Sequence, residues 1–192
     1  MRLYKAQVLS YLESSTPGLL HAAPSVLDKV DRVQRRLWRE LGLTELQGLL
    51  DFRLAPLPAR RSMSMLGLLH KIALGEAPLQ LAELFPLRGA VAEGRRAARL
   101  GNNRPLHDKQ LAVPPVARPT EQFRRSLFGV ADVYNLLPQK AVDCVDVKTF
   151  QRTLQQALKV HATKAGAPVD WQLLFTTGWR ALTRRELDEL FT

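Results

Sequence analysis

FRRSLFGVADVYNLLP (Phe123–Pro138), followed after a short polar gap by VKTFQRTLQQALK (Val147–Lys159), is the most clearly organised stretch of the chain. In the second run Val147, Phe150, Leu154 and Leu158 recur at three- and four-residue steps. That spacing gathers them on one side of an α-helix, with Lys148, Arg152 and Lys159 outside. Asp146 stands where its carboxylate can accept an orphan amide proton of the first turn. The first run is less decided. Arg124–Val130 reads as a short strand that pairs with Lys109–Val113 in a β-hairpin, and Ala131–Leu137 continues as helix or turn until Pro138. Phe123 and Phe128 are expected to pack against helices, because platforms that stack bases present several exposed aromatics together.

Helical spacing also fills the N-terminal half. Leu3, Val8, Leu9 and Leu12 mark a first helix, stopped by Pro17-Gly18. Pro24 and Ser25 open a second, with the Ser25 hydroxyl as its expected cap. Leu27, Val30, Leu37, Trp38 and Leu41 gather on one side of it, while Arg32, Arg35, Arg36 and Arg39 fall within about 100° of one another on the opposite side. One helix therefore buries an apolar stripe and shows a row of four guanidinium groups. Such a row is either a phosphate contact or a plain solvated face.

Gly42 ends that helix, and Thr44 with Gln47 starts a short one through Leu50. Pro58 fits a first helical turn, after which Met63, Leu66, Leu69, Ile72 and Ala73 make a helix apolar enough to be central, ended by Gly75. Met63 and Met65 read as core fillers. Leu79–Phe85 makes a further short helix before Pro86. From Arg88 to Arg125 the composition changes to eight Arg and one Lys against three acidic residues, with three glycines and four prolines. This is the pattern of a flexible basic connector, able to track a phosphate backbone or simply to stay solvated. After Gly166-Ala167-Pro168, Trp171, Leu174 and Phe175 form an apolar patch, and Thr183-Arg184-Arg185-Glu186 is a capping box opening a final short helix. The expected fold is mainly α, a small helical bundle with a short β-hairpin and a basic connector. Its stretches are residues 1–87, 88–122, 123–164 and 165–192.

The chain has 192 residues, 46% of them hydrophobic, and a net charge of +10. That length suits one domain or two small ones with a true core. No apolar run approaches the roughly 20 residues that cross a bilayer and no signal-peptide core is present, so a soluble intracellular protein with no membrane role is expected. A strongly basic surface attracts polyanions, which makes nucleic acid the natural partner. An excess of Arg over Lys can also reflect a GC-rich coding sequence, so the distribution of charge has to decide.

Catalytic and metal signatures are missing. No Asp-Asp pair occurs, and the one adjacent acidic pair, Asp188-Glu189, lies in the terminal helix with Leu187, Leu190 and Phe191. Cys144 is the only cysteine, and His21, His70, His107 and His161 are scattered without ligand spacing, so no metal or cofactor is expected. Cys144 reads as a small buried residue and His70 as a packed or surface histidine. There is no Gly-rich phosphate loop or nucleophile elbow.

Taken in order, several short elements resemble the C-terminal, post-polymerase region of non-LTR (LINE-like) retrotransposon reverse transcriptases. Tyr4, Val8 and Glu13 follow a Tyr-x3-Val-x4-Glu pattern, and Val33, Gln34, Arg35 and Arg36 a Val-Gln-Arg-Arg signature. Phe123–Ser126 is a basic segment, and Tyr134, Asn135, Leu136, Leu137 and Pro138 carry an aromatic-Asn-x-Leu-Pro element. Phe150, Leu154 and Leu158 carry a closing helix. The family usually has Trp where this chain has Tyr134. The resemblance covers about residues 3–162, and residues 165–192 have no counterpart in it. It implies a thumb-adjacent fragment without the catalytic palm, whose two metal-binding carboxylates are absent. Such a fragment would contact RNA or DNA backbone without sequence preference through Arg32, Arg35, Arg36, Arg39, Arg124 and Arg125, and would dock on a polymerase core. Two alternatives share these motifs. A degenerate relic would expose apolar surface around Leu3–Leu12 and Met63–Leu74 where the palm once docked. A helical adaptor would bind protein through Trp171–Phe191.

Overall fold

The computed structural model describes residues 2–14, 22–88, 107–113, 120, 123–124, 126–164, 170–175 and 182–191. Most of the 88–122 connector lies outside them, as does Arg125. The described chain is mainly helical. A π-helical segment Tyr4–Leu9 leads into α1 (Ser10–Ser14), then α2 (Pro24–Glu40), α3 (Glu45–Phe52), α4 (Leu57–Ala73) and α5 (Leu79–Ala82). Beyond the connector come α6 (Leu127–Tyr134), α7 (Gln139–Val142), α8 (Val147–Thr163), a 3-10 turn at Trp171–Leu173 and α9 (Arg184–Leu190).

Local chemistry sets most of the boundaries. The Thr44 hydroxyl accepts the Gln47 amide proton at 3.1 Å while the Gln47 side chain accepts that of Thr44 at 2.8 Å, a reciprocal box that opens α3. Thr183 and Glu186 do the same for α9, and the Asp146 carboxylate accepts the Thr149 N–H at 2.8 Å to open α8. Gly42 (φ 63°) and Gly75 (φ 75°) take the left-handed conformation just past α2 and α4, where a side chain would be strained. α2 departs from expectation. Its N-cap is Ala23, with no side-chain hydrogen bond, and Pro24 supplies a preset φ in the first turn, so Ser25 lies inside the helix and caps nothing.

α4 is the hub. It is buried on almost every side and packs against α1, α2, α5, α6, α8 and the 3-10 turn, most extensively against α8. Leu66 and Leu69 of α4 and Phe150, Leu154 and Leu158 of α8 are fully buried between them. Each such side chain contributes about 1.5–3 kcal/mol relative to exposure. Met63 and Met65 fill this core, as their spacing predicts. The Met63–Leu74 region is thus interior packing rather than a vacated docking face, whereas Leu3, Val8 and Tyr11 are exposed. A smaller cluster of Tyr4, Leu9, Trp38, Leu54 and Leu57 joins the N-terminal segment and α2 to the α3–α4 junction.

The main core crosses every boundary drawn from composition. Leu174, Phe175, Leu182, Leu187 and Leu190 of the tail share it with α4, α6 and α8. The Gln172 amide donates to Glu45 at the start of α3, and Lys164 pairs with Glu189 at 3.0 Å. Leu174, Phe175, Leu182, Leu187 and Leu190, within the Trp171–Phe191 stretch of the adaptor reading, are therefore internal packing here.

Among the described residues the β-hairpin does not form. Leu127–Tyr134 is α-helix, and Leu111 instead makes an isolated antiparallel bridge with Leu87. Gly129 explains the difference. A Cβ there would lie 2.2 Å from the Arg124 carbonyl oxygen, so the glycine lets the preceding turn fold back onto the helix. Phe128 packs on Phe85 with ring centroids 4.9 Å apart and Phe123 stacks on Phe128 at 6.1 Å, the packing role expected of both.

Candidate nucleic-acid interface

On α2 the buried side chains are Gln34 and Trp38, a narrower stripe than the hydrophobic spacing suggested, and Leu41 stays exposed. Gln34 faces inward because its amide is engaged. Its Nε2 donates to the Ala55 carbonyl at 3.1 Å and its Oε1 accepts the Leu57 N–H at 2.8 Å, which fixes the loop that starts α4. With Gln34 and Trp38 directed in, Arg32, Arg35, Arg36 and Arg39 are all exposed on the outside of the same helix. Arg32 pairs with Asp28 at 2.7 Å, Arg35 also pairs with Asp28, and Arg36 pairs with Glu40 at 2.8 Å. Hydrogen bonds from Arg32 and Arg35 hold the Asp28 carboxyl below its usual range, and the bond to Glu40 raises Arg36. Among the described residues Arg39 makes no ion pair. Solvent-screened pairs of this kind are weak and exchangeable, so a phosphate can replace a carboxylate. Arg124 is exposed on a different segment, ahead of α6, and Arg125 lies outside the described residues.

Several of the remaining cations have a structural use. The ammonium groups of Lys5 and Lys159 donate to the Phe52 and Leu50 carbonyls at the C-terminal end of α3, and Lys109 donates to Val142 at the end of α7 at 2.6 Å. Helix C-termini carry unsatisfied carbonyls and the negative end of the macrodipole, so a lysine there is favourable. Lys159, expected on the outside of α8, is turned across to α3 for this purpose. Arg61 makes a two-pronged pair with Asp31 at 2.7 and 2.9 Å that ties α4 to α2 largely out of solvent. Arg60 pairs with Glu13. Net charge therefore overstates what is available to a partner.

The Tyr134–Pro138 element is a clamp. Fully buried Tyr134 places its hydroxyl 3.1 Å from His70 Nδ1, and His70 Nε2 lies 3.0 Å from the Cys144 carbonyl. The His70 ring also stacks on Phe150 with centroids 4.2 Å apart. The Asn135 amide pairs both backbone groups of Leu111, accepting its N–H and donating to its carbonyl, each at 2.8 Å. Gln110 donates to the Asn135 carbonyl at 2.9 Å, and His107 Nε2 sits 3.1 Å from that of Tyr134. Leu137 is fully buried and Pro138 starts α7. The element thus holds residues 107–113 against the helical core. Burial pushes the pKa of Tyr134 up and those of His70 and His107 down. Among the described residues, buried His107 Nδ1 has no hydrogen-bond partner.

Between the end of α1, α4 and α8 lies a half-open cleft of about 370 Å³, lined by Glu13, Arg60, Met63, Ser64, Lys148, Gln151, Arg152 and Gln155. Sequence reading placed Lys148 and Arg152 outside α8 but gave them no role. The available signal was the one used on α2, two cations on one outer helix face. Among the described residues no group of three His, Cys, Asp or Glu side chains is arranged to hold a metal ion. Glu189 of the adjacent acidic pair is held below its usual pKa by Lys164 and Arg185 on a solvated helix face. No described helix is long and apolar enough to cross a membrane. Comparison with protein-family models, with curated proteins and with solved structures returned no match.

Proposed function

We propose that the chain is a non-catalytic helical module that holds the backbone of a nucleic acid, of the kind expected beyond the polymerase core of a LINE-like reverse transcriptase. One observation carries the reading. Four arginines occupy the outer face of a single helix whose inner face is fixed by Gln34 and Trp38, and the carboxylates paired with them are exposed and exchangeable. Arginine forks suit phosphate oxygens, and contacts of this kind position a backbone without reading bases. The family resemblance of the ordered motifs supports the same reading. Reverse transcription itself would belong to a separate catalytic core.

Binding to labelled single-stranded RNA, duplex DNA and an RNA–DNA hybrid, titrated against salt beside the Arg35→Ala/Arg36→Ala/Arg39→Ala variant, tests it. The expected result is affinity that falls steeply with salt on all three ligands and weakens in the variant. A folded wild-type protein that binds none of them at low salt would overturn the proposal.

A further inference from the structure

Resting on that reading, we infer that the cleft between α1, α4 and α8 is a seat for a single-stranded phosphodiester backbone, with Lys148 and Arg152 as its charge contacts and Ser64 and Gln151 as its hydrogen-bond donors. The α2 row supplies an outer, convex contact, and the cleft supplies a concave one.

The inference starts from which cations are committed elsewhere. Lys5, Lys109 and Lys159 serve helix carbonyls, and Arg61 is locked to Asp31. Arg60, on the wall formed by α4, already neutralises Glu13, the one carboxylate lining the cleft among the described residues. Lys148 and Arg152, on the opposite wall, are exposed and make no ion pair among the described residues. They are four apart on α8, so both ammonium and guanidinium rise from one face. Two uncommitted positive charges in a concave site focus field more than the same charges on a convex helix already lined with carboxylates.

The neutral lining agrees with the charges. The Ser64 hydroxyl and the Gln151 amide face the cleft and make no hydrogen bond to protein among the described residues, while Gln155 is held on the Arg53 carbonyl at 2.9 Å. Gly67 gives Gln151 its place: a Cβ on Gly67 would come within 2.5 Å of the Gln151 amide nitrogen, so the glycine lets that side chain lie close over α4. A phosphate with its several acceptor oxygens matches such a set of donors. Among the described residues the lining contains no aromatic ring and a single apolar residue, Met63, so none of them stacks a base. From Lys148 to Gln155 the α8 wall runs about 10 Å at 1.5 Å per residue, room for a short run of backbone rather than one isolated ion.

The test is anisotropy of a labelled single-stranded 12-mer across a salt series, with wild type, Lys148→Ala/Arg152→Ala, Ser64→Ala/Gln151→Ala and the α2 triple variant. The substituted side chains of the first variant are exposed, so its melting temperature should match wild type. Its affinity is expected to fall at least tenfold at low salt, and the slope of log affinity against log salt to lose about 1.4 in magnitude, the loss of two phosphate contacts on a single strand. Ser64→Ala/Gln151→Ala is expected to weaken binding severalfold with the slope unchanged. Wild-type affinity and slope in Lys148→Ala/Arg152→Ala, with binding lost only in the α2 variant, would overturn the cleft and leave the broader proposal standing. Failure of the wild-type protein to bind the 12-mer at low salt would overturn both.

Discussion

Asn135 shows how much one side chain organises here. Its amide serves both backbone groups of Leu111, a residue with no exposed surface, and so replaces the strand partner that Leu111 would otherwise need. Asn135→Ala orphans a buried donor and a buried acceptor, each costing about 1–3 kcal/mol, so a loss of about 2–6 kcal/mol is expected. Urea denaturation of the variant beside wild type measures it, and a midpoint unchanged within error would refute the clamp. Gln34 works in the same way on Ala55 and Leu57. Neither role is legible in sequence. The Tyr134–Pro138 and Val33–Arg36 motifs stand out as patterns, but a side-chain amide that pairs with backbone 21 to 24 positions away leaves no periodicity. The roles of buried His70 and His107 are hidden for a related reason, since their partners Tyr134 and the carbonyls of Cys144 and Tyr134 come together only on folding.

At the scale of elements, helix ends were the most readable feature. Thr44 with Gln47, Asp146, Thr183 with Glu186, Gly42 and Gly75 act where local chemistry places them, because caps and left-handed turns depend on neighbours within four residues. Ser25 failed because Pro24 ahead of it had already fixed the first turn. Only the first half of α6, Leu127–Val130, departs from expectation, because a short apolar run such as LFGV has no period that separates strand from helix; Ala131–Tyr134 is helix, one of the two forms expected there, and α6 packs on α4. Gly129 is the residue on which that helix turns. Gly129→Ala sets a methyl group against the Arg124 backbone, which has no flexible end to move aside, and is expected to cost about 1–3 kcal/mol. Gly67→Ala meets only the mobile end of Gln151 and should be milder. Thermal denaturation of the pair checks the order, and equal melting temperatures would contradict it.

For the molecule as a whole, buried His70 and His107 shape the response to acid. In the unfolded chain His70 and His107 titrate near 6.5, whereas burial lowers both in the fold. Between those values the unfolded state binds more protons, so their stabilising effect is complete above pH 6.5 and declines as pH falls below it. Asp28, Asp108 and Asp146 are held below the ordinary 3.8, so their contributions are lost only under stronger acid. The melting temperature is expected to drop between pH 7 and 5, and less so in His70→Gln/His107→Gln; a flat profile in wild type would contradict the assignment. The mainly helical class was legible from spacing alone, but the main core running from Leu49 to Leu190 was not, because composition marks where the chain changes character and not where distant segments meet. That core has a consequence in time. The hub helix α4 ends at Ala73 and its chief partner α8 begins at Val147. At about 5–20 residues per second of synthesis, the intervening chain takes several seconds to emerge. During that interval the ribosome presents Leu66, Leu69 and Phe85 without their mates, so the newborn protein depends on whatever shields a sticky helix until translation delivers its other half.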